Sequence, residues 1–153
     1  MKKSLMLIAC MFFLLSTAMF AQNKYIGSAK CKMCHNSPAK GEQFKKWSES
    51  KHAKALASLT GADATNAKCL KCHAPVAEFK AEGVTCEACH GAGSAYKSPT
   101  IMKDAAQSKA KGLIIPGEKA CLTCHGKGLG NPKDKDFNYT TYLAKVTHKA
   151  PKK

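Results

Sequence analysis

The chain contains no arginine: lysine alone carries its 25 basic charges, which stand against 10 acidic residues for a formal net charge of +15. Readers of phosphates and base edges favour the bidentate guanidinium fork, so this absence argues against nucleic acid as a partner. Long apolar runs are also missing beyond the first twenty-one residues. Even there, Leu5 to Phe20 is roughly 16 residues, short of the ~20 that a membrane-spanning helix needs. Histidine is scarce, at six in 153 residues, and tryptophan occurs once. No catalytic acid, base or nucleophile is visible.

Cysteine is what the chain has in excess, and eight of its nine cysteines fall into four copies of C-x-x-C-H. These are Cys31/Cys34/His35, Cys69/Cys72/His73, Cys86/Cys89/His90 and Cys121/Cys124/His125. The spacing is the attachment signature of a c-type haem. Two thiols on one tight turn reach the two vinyl groups of a porphyrin edge and bond them as thioethers. The next residue then presents an imidazole to the iron. Two other readings use the same thiols. A zinc reading pairs Cys31/Cys34 with Cys69/Cys72, and Cys86/Cys89 with Cys121/Cys124, as four-thiolate sites. A disulfide framework is the third. Neither explains why four of only six histidines directly follow a second cysteine. Four covalent haem c groups, with His35, His73, His90 and His125 as proximal ligands, are therefore expected.

The start of the chain reads as a signal peptide over residues 1–21: Lys2 and Lys3 precede the apolar run, and small residues at Ala18 and Ala21 offer cleavage points, the second preferred. Leu7–Ile8–Ala9–Cys10 superficially resembles a lipoprotein box, but the apolar run continues past it to Phe20. Cys10 is therefore read as a signal-peptide residue. Export, periplasmic or otherwise, suits haem attachment, which takes place outside the cytoplasm, and no stable membrane span is expected after cleavage. Residues 22–153 are then one domain. Four haems in so short a chain leave no room for a conventional core, so the haems themselves are expected to form the interior, with protein as a thin wrapping. The expected fold is mainly α, with short helices and loops wrapped around four closely packed haems and little or no β-sheet. Haem propionates would offset much of the lysine charge, and the lysines left over suit steering of an acidic redox partner.

Along the chain, Ser37–Pro38 opens a helix expected to reach Leu59 and stop at Gly61. On it, His52 shares a face with Ser48, Ala55, Leu56 and Leu59. A histidine on such a face is ordinarily a packed core side chain; in a chain short of histidine and rich in iron, His52 is instead read as a distal ligand. Only twelve residues separate His73 from Cys86, which places the second and third haems together. Gly91–Ala92–Gly93 allows close backbone approach. Ser98–Pro99 opens a helix to Lys111, with Met102 in its first turn. Met102 is either gap-filling core or a thioether ligand, and both readings stand. A final helix from Asp136 to Thr147 aligns Tyr139, Tyr142, Leu143 and Val146 as wrapping. His148, just past it, is the other candidate distal ligand. Two free histidines and one usable methionine cannot complete four irons, so an open iron is expected.

The runs "KCKMCH…FKKWSESKHAKAL", "KCLKCH", "GVTCEACHGAGSAY", "CLTCHG" and the late "KVTH" resemble the small exported tetrahaem cytochromes of the cytochrome c-554 family. The resemblance extends over essentially all of residues 22–153, and "SKHAKA" and "GVTCEACHG" make it specific. It implies a mainly helical wrapping around stacked haems used for electron transfer. It also implies His52 as distal ligand of the third haem, His148 of the fourth, and a five-coordinate second haem. Members of that family place a histidine after the third motif as distal ligand of the first haem. This chain has "YKSPTIM" there, so Met102 replaces that ligand or the iron is open. Three functions fit: an electron carrier between cytochromes or membrane-linked reductases, a redox enzyme or sensor for nitric oxide or a peroxide at an open iron, and a subunit of a larger haem assembly. Donor, acceptor and oligomeric state are not written in the sequence.

Overall fold

The structure, a computed structural model, describes residues 22–130 and 136–148. The expected signal peptide, with Lys2, Lys3 and Cys10, lies outside the described residues. Among those residues the fold is all-helical with no strand. The eight α-helices are short: α1 Ser28–His35, α2 Gln43–Glu49, α3 Ala67–His73, α4 Cys86–His90, α5 Pro99–Met102, α6 Ala105–Ala110, α7 Glu118–His125 and α8 Tyr139–Val146. Single 3-10 turns lie between several of them.

Helix starts follow local chemistry. Asn66, Thr85, Ser98, Asp104 and Asn138 each accept a hydrogen bond from an amide in the first turn of the helix they precede, satisfying donors the helix cannot reach. Two of the expected helices are broken. The segment from Ser37 to Leu59 becomes a 3-10 turn at Pro38–Lys40, then α2, a turn over residues 51–55, and a second 3-10 turn at Leu56–Ser58. Gly41 and Glu42 adopt left-handed backbone between the first two pieces. After α2, long-range bonds replace helical ones: the Trp47 indole donates to the Val84 carbonyl at 2.8 Å, and the Val84 amide donates to the His52 carbonyl at 2.9 Å. His52 thus sits in a turn, not on the apolar helix face expected for it. The helix expected from Ser98 to Lys111 divides at Asp104, whose extended backbone lets its carboxylate cap α6.

The protein's own core is small. Among the described residues only Ala74, Val76 and Tyr96 are buried hydrophobics, alongside the polar Ser28, Gln43, Thr85, Glu87 and Ser108. Ile114, Ile115, Leu122, Tyr142, Leu143 and Val146 are all exposed. The aromatic stripe of α8 therefore has no fully buried member. So little buried apolar surface cannot offset the entropy of ordering this chain. The fold needs a further apolar mass in its interior.

Candidate functional site

Each C-x-x-C-H forms the end of a short helix, α1, α3, α4 or α7, and each helix ends on its histidine. Residues three and four apart share a helical face, so both thiols and the imidazole look to one side. The motif helices associate in pairs, α1 against α4 and α3 against α7. In the first pair the Cys31 and Cys86 thiols lie against each other; in the second, Cys72 meets Cys124. The third motif also approaches the fourth, since Cys89 senses Cys121 and Cys124. The short spacer between His73 and Cys86 leads to the expectation that the second and third haems are neighbours; the motif helices in contact are first with third and second with fourth.

These free thiols stand where thioether sulfurs would be. All eight are free cysteines. Cys34 is exposed, whereas Cys31, Cys69, Cys72, Cys86, Cys89, Cys121 and Cys124 are half-buried. The cause is local. Met33 beside it is 76% exposed and residues 36–40 are all exposed, so the adjoining segment does not cover this thiol. A porphyrin edge bonded at Cys34 would cover it.

Contact with Cys86, then burial, pushes the Cys31 thiol well up, while the same contact lowers Cys86. Burial and then Cys124 push Cys72 up to about 11. The four-thiolate pairing of Cys31/Cys34 with Cys69/Cys72 does not form, and no group of three or more metal-binding side chains gathers among the described residues.

Backbone carbonyls orient three of the histidines. His73 Nδ1 lies 2.9 Å from the Ala55 carbonyl oxygen, His90 Nδ1 2.9 Å from that of Ile114, and His148 Nδ1 2.8 Å from that of Val146. A carbonyl only accepts, so Nδ1 carries the proton in all three and Nε2 is left bare for a metal. Burial holds His90 below the ordinary histidine range, as burial and then His125 do for His52. The neutral form is the ligating one.

Two histidine pairs cross between motifs. His52 faces His125 with ring centroids 6.1 Å apart and planes at 53°; His148 faces His90 at 6.0 Å and 71°. Two imidazoles on opposite faces of one metal need about 6 Å between centroids, from metal–nitrogen bonds of roughly 2.0 Å and rings of about 1.1 Å radius. Both pairs meet that requirement, so the residues present fit haem iron. The resemblance implied His52 for the third haem and His148 for the fourth. In the structure the His52 ring lies beside the histidine of the fourth motif and the His148 ring beside that of the third. The reason is topological, because the Val84–His52 bond holds the His52 turn beside the extended entry to α4 while its side chain reaches α7.

His35 is half-buried at the end of α1 and close enough to His90 to lower it. Met102 is half-buried at the end of α5, its amide bonded to the Ser98 carbonyl at 2.9 Å. Glu87, Tyr96 and Phe137 were not singled out from sequence. Glu87, inside the third motif and 2% exposed, accepts from the amides of Ile26, Gly27 and Gly93 at 2.7–3.0 Å. It thereby ties the N-terminal lead-in to both ends of the third haem motif. The Tyr96 hydroxyl donates to the His90 and Gly91 carbonyls at 3.2 and 2.7 Å, and burial raises it above the usual tyrosine range. Gly91, at φ +78°, is where close approach requires glycine: a Cβ there would lie 2.7 Å from the Gly112 carbonyl oxygen. Phe137 stacks on His125, with centroids 4.8 Å apart.

Residues 18–91 match the family model described as cytochrome c7 and related cytochrome c. The match covers just under half of the chain and contains the first three motifs; the fourth lies beyond it. No curated protein and no solved structure matches the chain. The match supports a small multihaem cytochrome c with covalently bound haem c and a role in electron transfer. No helix among the described residues is long and apolar enough to cross a membrane.

Proposed function

With a multihaem c-type cytochrome as the premise, we propose that the chain is an exported tetrahaem carrier, similar to the cytochrome c-554 family, that passes electrons between redox proteins. The observation that carries this reading is the pair of cross-motif histidine contacts, His52–His125 and His90–His148, at spacings that suit one iron each. Cys31/Cys34, Cys69/Cys72, Cys86/Cys89 and Cys121/Cys124 tether the four porphyrins, with His35, His73, His90 and His125 as proximal ligands. His52 closes the fourth iron and His148 the third. The second haem, on His73, is open, and the first takes Met102 or is open too. When bound, haem supplies a reversible one-electron couple at iron. Around it the chain orients the imidazoles, excludes small ligands from two irons, and presents lysines to an acidic partner. Residues 1–21 direct export, and residues 22–153 are the single haem-bearing domain.

The mass of the purified protein counts the haems and locates the cleavage point. Four haems and loss of residues 1–21 are expected; fewer than four overturns the tetrahaem assignment. His52→Ala and His148→Ala should each convert one low-spin haem to a high-spin, carbon-monoxide-binding form. If either variant keeps the parent spectrum, the ligand pairing fails.

A further inference from the structure

The motif histidines are not all held alike. His73 and His90 each give a proton to a backbone carbonyl. His125 is held by a ring: Phe137 lies against its imidazole at 4.8 Å, the planes only 14° apart. Phe137 in turn stacks on Tyr142 at 5.3 Å and 20°, and the Lys145 ammonium sits 4.8 Å from the Tyr142 ring centroid. A stack of offset parallel rings is a favoured aromatic geometry, and the cation over its outer face reinforces it.

An imidazole bound through Nε2 keeps one rotation, about its bond to the metal. A carbonyl at Nδ1 fixes that rotation by a directed bond. An aromatic ring flat against the imidazole fixes it by excluding other angles. We propose that Phe137 is a positioning residue for the fourth haem: its ring sets the rotation of His125 and ties it, through Tyr142, to α8, the helix that also delivers His148 to the third haem. This rests on His52 and His125 being the two ligands of one iron. If they are, both ring planes contain the axial direction, and the 53° between them is the twist of the ligand pair. That twist governs how the two imidazole π systems share the iron d orbitals. It therefore governs the low-field position of the ferric low-spin resonance and contributes to the potential.

The test uses the purified haem-loaded protein and its Phe137→Leu and Phe137→Tyr variants, read by electron paramagnetic resonance of the ferric form and by redox titration. Phe137→Leu should move one low-spin resonance and one midpoint potential and leave the others in place. Phe137→Tyr, which retains the stack, should restore the parent resonance. The resonance that moves should be the one that His52→Ala abolishes. A parent spectrum in Phe137→Leu overturns the proposal, as does a change in every resonance, which would mean a general loss of structure. Should Phe137→Leu move a resonance that survives in His52→Ala, the ligand pairing fails and takes the proposal with it.

Discussion

The two pairs of motif helices are held together by different means. Where α1 meets α4, the polypeptide does the holding: Ser28, Thr85 and Glu87 are at most 2% exposed. The Glu87 carboxylate gathers amides from residues 26, 27 and 93, Glu82 takes the Ser28 amide at 2.9 Å, and Ser28 Oγ accepts from the Cys86 amide at 3.3 Å. Where α3 meets α7, neither helix has a buried residue, and the contact centres on Cys72 and Cys124. Beyond it, His125 and all of α8 except the half-buried Tyr139 are exposed. The first pair can keep its geometry by hydrogen bonds alone. The second has no such hydrogen-bonded junction among the described residues, only the contact at its thiols.

The sharpest way to break this contrast is to remove one tether at a time. On the proposed tetrahaem reading, Cys121→Ala/Cys124→Ala removes the fourth haem, and with it an apolar surface for α7, Phe137 and α8. Limited proteolysis should then cut rapidly within residues 113–148. In Cys31→Ala/Cys34→Ala the first haem is lost, but Glu87 and Glu82 still grip residues 26–28. Cleavage of the lead-in should be much slower. Equal protease sensitivity in the two variants would remove the distinction. The effect should be large because burial of a porphyrin replaces nearly all the missing core of the weaker pair.

A smaller effect tests the stronger pair from inside. Glu87→Gln preserves volume, removes the charge and turns one acceptor into a donor that faces backbone N–H groups. Hydrogen bonds to a charged acceptor contribute more than neutral ones, and orphaned buried donors cost further, so a loss of about 2–4 kcal/mol is expected. Chemical denaturation of the haem-loaded protein measures it. A loss below ~1 kcal/mol would mean that the carboxylate is not what joins α1 to α4.

Covalent chemistry was the most legible part of the molecule in its sequence, because haem attachment demands fixed residue types at a fixed local spacing. Helical caps were legible for a similar reason, as Ser98–Pro99 shows. The position of His52 was not. Periodicity assigned it to a helix face, but bonds from Trp47 and Val84, fixed by partners more than thirty residues away, hold it in a turn. The pairing of motifs was hidden too: the twelve-residue spacer suggested the second beside the third, whereas the thiols in contact come from motifs 55 and 52 residues apart. The exposure of Cys34 was equally hidden, since the motif spacing is the same in all four copies and what covers each thiol is set by distant segments. Glu87 occupies a variable position of C-x-x-C-H, where an acid reads as a solvated side chain. Only the amides of Ile26, Gly27 and Gly93 converging on it reveal otherwise.

The finest comparison sets the same local device in both halves. Thr85 and Asn66 each cap a motif helix, Thr85 accepting from the Ala88 amide at 3.1 Å and Asn66 from the Lys68 amide at 3.0 Å. Thr85 is 1% exposed and Asn66 is exposed. Removing the exposed cap leaves an amide that water can satisfy, so Asn66→Ala should cost about 0.5 kcal/mol, the low end for a cap. Removing the buried one strands the amide and opens space beneath α4, so Thr85→Ala should cost about 2 kcal/mol, the high end. Denaturation midpoints of the two variants, at unchanged slope, give the difference directly. Equal costs would mean that solvent reaches the α1–α4 junction after all, and the hydrogen bonds of Glu87 would then have to be judged as surface interactions.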